Sequence, residues 1–218
     1  MKKILLYAIL LLSLVTFTGC KPQEHIDPRI SQLRNDVIFG ESQNFKLSAY
    51  CERREDPLES DGVCGKLENY LIFKIDFGKS QSAIENCSIS FTLNGKEYCE
   101  TFEYKPLSSF LFAHVCVENL PLEPITVCIK GPNVNETLTL CSIKNKDTVD
   151  YFSALQTITN SNEDCKNFLE SGDGELRIRL IDNDGYDYWY IGFISAEKTL
   201  SFLIDGENGE IIAQKNGA

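Results

Sequence analysis

Cys87-Ser88-Ile89-Ser90-Phe91-Thr92-Leu93-Asn94-Gly95-Lys96-Glu97-Tyr98-Cys99-Glu100 is the stretch on which the fold turns. Ile89, Phe91 and Leu93 alternate with Ser88, Ser90 and Thr92, the period of a strand with one buried and one wet face. Asn94-Gly95 supplies the two positive φ angles of a type I′ turn, so the chain reverses there as a two-residue hairpin. That turn fixes the register: Phe91 lies opposite Tyr98, and Cys87 falls on the other face from Cys99.

The same texture runs outward from Phe45 to about Ile143, in short runs of Val, Ile, Phe, Tyr and Thr broken by Gly, Pro and Asn. It predicts strands at 45–51, 70–77, 83–93, 96–104, 110–117, 125–130 and 137–143, a count that suits an immunoglobulin-like β-sandwich over 45–144. Downstream, Val149, Phe152, Leu155 and Ile158 recur every third residue on one helical face, with Asp147 as N-cap. A second short helix over 163–169, capped by Ser161 or Asn162, ends at Gly172. Strands follow at 175–181, 188–194, 199–204 and 210–214, so 145–218 reads as a small α+β domain, a helix on an antiparallel sheet. Alternation over 188–194 buries either Trp189 with Ile191 and Phe193, or Tyr188 with Tyr190. Upstream, 20–44 is polar, carries Pro22 and Pro28 and shows no sustained apolar period; it reads as a tether.

Residues 1–19 have the form of an export leader: Lys2 and Lys3, an apolar run from Ile4 to Phe17, then Thr18-Gly19 before Cys20. Phe17-Thr18-Gly19-Cys20 resembles the lipobox of prokaryotic lipoproteins, with Phe17 where that family prefers a branched aliphatic residue. The resemblance implies cleavage before Cys20, lipidation of that thiol, and an extracytoplasmic protein anchored to the cell membrane. With Cys20 set aside, Cys51, Cys64, Cys87, Cys99, Cys116, Cys128, Cys141 and Cys165 form an even set, which in an oxidising compartment reads as disulfides. Cys51–Cys64, Cys128–Cys141 and Cys141–Cys165 are the local pairs that compete. Every interval between these cysteines exceeds the tight spacing of a structural zinc site. The formal charge of −11 opposes nucleic acid as a partner, because binding it rests on Lys and Arg displacing phosphate counterions.

Trp189-Tyr190-Ile191-Gly192-Phe193, followed by Leu200-Ser201-Phe202-Leu203-Ile204-Asp205-Gly206-Glu207-Asn208-Gly209-Glu210-Ile211-Ile212, resembles the closing hairpin of PepSY-type domains. The resemblance implies an extracytoplasmic interaction module, in some members a regulator or inhibitor of peptidases, and it carries no catalytic residues.

Asp182-Asn183-Asp184-Gly185-Tyr186-Asp187 gathers Asp182, Asp184 and Asp187 in one tight stretch, a candidate calcium site by its oxygen donors. The commoner role of such a stretch is a hairpin turn. Of the two histidines, His25 falls in the tether and His114 in a strand, so a hydrolase would have to use His114. No nucleophile elbow, His-Glu-x-x-His helix or phosphate-cradling glycine loop occurs. The sequence therefore points to a non-catalytic, lipid-anchored binding module that takes an envelope protein or surface ligand, with regulation of an extracytoplasmic peptidase as the alternative and no cofactor beyond calcium.

Overall fold

The computed structural model describes residues 27–59, 63–77, 86–105, 110–183 and 186–217. The described residues are β-rich, with two short helices. Its strands are β1 (Ile30–Glu41), β2 (Lys46–Glu55), β3 (Leu67–Asp76), β4 (Ser88–Leu93), β5 (Lys96–Thr101), β6 (Glu103–Lys105), β7 (Phe110–Val117), β8 (Ile125–Gly131) and β9 (Val134–Ser142). Then come helices α1 (Tyr151–Ser161) and α2 (Glu163–Ser171), and strands β10 (Glu175–Asn183), β11 (Tyr186–Ile194), β12 (Thr199–Asp205) and β13 (Ile211–Gly217).

The hairpin of the opening stretch forms in the expected register, Phe91 opposite Tyr98 and Leu93 opposite Lys96. Asn94 and Gly95 hold φ of 52° and 79°, the left-handed pair that a type I′ turn needs. The run 96–104, expected as one strand, is two. Phe102 is buried and donates its backbone N–H to Cys87 O (2.9 Å), after which β6 leaves β4 and pairs with β7. From β1 the pairing runs through β2, β3 and β7 to β6 on one side, and through β9, β8 and β4 to β5 on the other. The result is a nearly closed antiparallel sheet whose ends, β5 and β6, meet in sequence at Phe102. Its inward apolar residues, among them Leu47, Phe73, Ile89, Phe91, Ile129 and Leu140, form one cluster.

A second cluster lies where α1 and α2 cover one face of β10–β12. Trp189, Phe193 and Phe202 are fully buried there, each such side chain contributing about 1.5–3 kcal/mol by leaving water. Alternation thus resolves in favour of Trp189, Ile191 and Phe193, and the indole N–H donates to Val149 O (2.9 Å). The helical face differs from the expected one. Tyr151, Ala154, Leu155 and Ile158 pack inward, whereas Phe152 is 57% exposed, because a strict three-residue spacing drifts off a 3.6-residue turn. The N-cap is Asp150, whose carboxylate accepts from Ser153 N (2.8 Å), rather than Asp147. Helix α2 is capped by Asn162 and ends at Gly172, φ 76°, as expected.

The largest correction concerns the tether. Within it, 30–41 forms β1, which pairs along its length with β2, runs parallel to β10 at its start and touches β9 through Ile38 and Phe39. Irregularities between Ile30 and Gln32 and between Arg34 and Asp36 shift its phase. Ile30 and Leu33 therefore enter the second cluster and Ile38 the first, so no single alternation marks the strand.

Candidate functional site

Pairing between β4 and β8 stops at Phe91–Val127, although β4 stays paired with β5 to Leu93 and β8 is paired with β9 from Ile125. The parted strand ends and the 119–124 connection enclose a cleft of about 1340 Å³. Part of its floor is the wet face of the opening stretch, and Phe91, Leu93 and Ile125 line it from the buried face. Ser90, Thr92 and Thr126 present hydroxyls, Cys99 and Cys128 flank Ser90 on the two neighbouring strands, and Glu97 adds a carboxylate. The opposite wall is apolar, formed by Leu120, Pro121, Leu122 and Pro124, with Leu122 91% exposed. Two prolines in this connection lack the N–H that would let it join either sheet edge, which holds it apart from the strands. At the rim Lys96 donates to Glu118 (2.8 Å) and holds that carboxyl below its ordinary range. Such a cleft can seat a ligand that turns an apolar side to the prolines and polar groups to the hydroxyls.

The structure disperses the residues that the sequence singled out. Cys20 and His25 lie outside the described residues. His114 stands exposed on the outward face of β7, opposite Ile72, and is not among the described lining of the cleft. Its neighbour Cys116 has its thiol pushed up, first by burial and then by Glu68. Asp182 pairs with Asp187 across the β10–β11 hairpin, and Asp184 lies outside the described residues. Asp187 accepts from Thr148 Oγ1 (2.5 Å) and its carbonyl takes the Gly206 N–H (2.9 Å), so it ties β11 to the entry of α1 and to the turn after β12. Among the described residues no group of three or more His, Cys, Asp or Glu is placed to hold a metal ion.

The disulfide expectation is also corrected: Cys51, Cys64, Cys87, Cys99, Cys116, Cys128, Cys141 and Cys165 are free thiols. Cys128 lies opposite Thr137, four residues from Cys141, a separation of roughly 13 Å along a strand where a disulfide needs Cα atoms within about 7 Å. Cys51 lies opposite Asp36 of β1, whereas the Cys64 thiol contacts Ile30 O, six residues along that strand. Cys165 is buried in the second cluster while Cys141 is exposed on β9. Cys99 and Cys128, with β4 between them, are roughly 10 Å apart.

Motif reading missed the cleft because no reactive residue marks it. Its one visible signal is Leu120-Pro121-Leu122-Glu123-Pro124, apolar residues set between prolines in a connection. No protein-family model, curated protein or solved structure matches the chain.

Proposed function

We propose that the chain is an extracytoplasmic lipoprotein, anchored through Cys20, that binds a surface ligand or envelope protein without catalysis. On this reading the first cluster is the core of an immunoglobulin-like sandwich whose chain changes sheets at Phe102, and 145–218 is the small α+β domain. The cleft between the parted ends of β4 and β8 carries the reading. Its described ionisable groups are Glu97, Glu123, Tyr98 and the thiols of Cys99 and Cys128, set among hydroxyls and prolines and spread along its walls. That composition suits recognition through shape and hydrogen bonds.

The test is a fragment screen read by amide shifts on the full folded chain. Hits are expected to move the amides of Ser90, Thr92, Thr126 and Cys128, and Ser90→Trp, which fills the floor, is expected to abolish them. Hits that map to the His114 face, or turnover lost in His114→Ala with folding intact, would replace binding with catalysis. Anchoring is checked by Cys20→Ser, expected to release the protein from the membrane fraction.

A second reading, a PepSY-like regulator of an extracytoplasmic peptidase, draws on the closing hairpin. Asp205 Oδ1 accepts from Glu207 N (2.9 Å) and Asn208 N (3.1 Å), and Gly209 takes φ 73°. Dose-dependent inhibition of an envelope peptidase by the purified chain would favour it.

A further inference from the structure

The chain has six arginines, Arg29, Arg34, Arg53, Arg54, Arg177 and Arg179. Four of them share the sheet face opposite the helices. The registers of β10, β1 and β2 set Arg177, Gln32 and Arg54 in one row and Arg179, Arg34 and Glu52 in the next. Arg34 grips the buried Glu52, which also accepts from Gln32 Nε2 (2.9 Å). Arg177 pairs with the buried Glu175 (3.0 Å) and donates to the Glu59 carbonyl. The other two are poorly matched. Arg54 approaches Glu52 only to 3.9 Å, and Arg179 gives its Nε–H to Gln32 Oε1 (2.6 Å) with no ion pair among the described residues. On either side of Gln32, the Nε atoms of Arg54 and Arg177 are buried without a hydrogen-bond partner among the described residues.

Aromatic rings wall this array. Arg34 lies 3.8 Å from the Tyr50 ring centroid, Arg54 5.1 Å from Tyr70 and Arg179 5.4 Å from Tyr190. Little of these side chains is wet: Arg34, Arg54 and Arg177 keep 15%, 16% and 12% of their side-chain exposure. Glu52 and Glu175 answer two of the four guanidinium groups and Glu68, opposite Arg54 across β2–β3, lies beside a third, so the surplus positive charge sits at Arg179, on a chain of net charge −11. Burial and the nearby Arg34 pull the Arg179 pKa down, the mark of a cation short of a counter-charge.

We propose that this face is an oxyanion site that takes a phosphate group between Arg179 and Arg54, over Gln32. A phosphate group carries a single negative charge as the diester of a phospholipid headgroup and about −1.5 to −2 as a monoester, either of which complements the surplus charge at Arg179, and planar guanidinium forks bind its oxygens in pairs. The phosphate can come from a free anion or from the headgroup of an anionic phospholipid. The site lies on a different face and different strands from the cleft and stands independently of it.

The experiment follows the arginine side-chain Nε–H resonances of the folded chain as inorganic phosphate is added. The Arg54 and Arg179 signals are expected to shift and saturate. In parallel, flotation with phosphatidylglycerol vesicles against phosphatidylcholine vesicles separates the sources. Saturation by phosphate alone points to a free anion; capture by phosphatidylglycerol without a phosphate response points to a headgroup. Arg179→Gln is expected to weaken whichever binding is seen at least about tenfold, the scale of one lost charge-assisted contact, while Lys130→Gln on exposed β8 leaves it unchanged. No shift in the wild type together with no preference for the anionic vesicles overturns the proposal, as does unaltered binding by a folded Arg179→Gln. If that variant does not fold, the wild-type resonances decide the matter alone.

Discussion

At the residue scale, burial sets the chemistry of the thiols. Desolvation pushes Cys51 and Cys165 up from an ordinary value near 9 to about 12, while Cys99, Cys116 and Cys141 are exposed. An aromatic disulfide reagent at pH 8 is therefore expected to label Cys99 and Cys141 quickly, Cys116 more slowly because burial and Glu68 push its thiol up, and Cys51, Cys87 and Cys165 only on unfolding. The sign of the pH effect follows from the raised values. Below pH 9 both states keep these protons; between 9 and about 12 only the unfolded state releases them, so stability falls as pH rises through that window. Urea melts across it should show the decline, and Cys51→Ala with Cys165→Ala should flatten it. Glu52→Ala is expected to cost about 3 kcal/mol in a urea melt, the low end for a broken buried pair, because it leaves the half-buried Arg34 without its partner. None of this was legible in the cysteine count, since an even number says nothing of which strand faces the thiols share. Glu52 and Gln32 were hidden for a related reason: a polar residue can be buried only beside a partner, and theirs come from distant strands.

At the scale of elements, local signals read well wherever one face of a strand or a cap governs the backbone. Asn94-Gly95 gave the hairpin and its register, and Asn162 and Gly172 bounded α2. The Cβ of an alanine at Gly95 would meet nothing within 4 Å, so Gly95→Ala tests backbone conformation alone. It is expected to cost about 1–2 kcal/mol in a denaturant melt, the penalty of a side chain in the left-handed region. Local signals failed where an element serves two neighbours. Strand β1 reads as a tether in the sequence because its two irregularities divide its apolar residues between clusters, and the 96–104 run hides a change of sheet at Phe102. The cleft belongs to the same class, since it exists only because β4 and β8 part after Phe91.

Across the whole molecule, β1 joins the two clusters, and a boundary drawn at 144 cuts through shared structure. Ile30 and Leu33 are part of the core beneath the helices, and β10 pairs with β1 on the side away from β11. A fragment of 145–218 alone is therefore expected to lack dispersed amide resonances, and supplying 27–41 as a tethered strand should restore them; a well-dispersed spectrum from the fragment alone would show that its core needs no help. The placement of β1 also shortens the leash. With the lipid proposed on Cys20, only the ten residue steps to Ile30 separate the acyl chains from the sheet, a contour of at most about 35 Å, against more than 80 Å for a free segment reaching 44. The protein would then ride low over the bilayer and sample few orientations. Its surplus negative charge would favour those that turn the guanidinium-bearing side toward the headgroups.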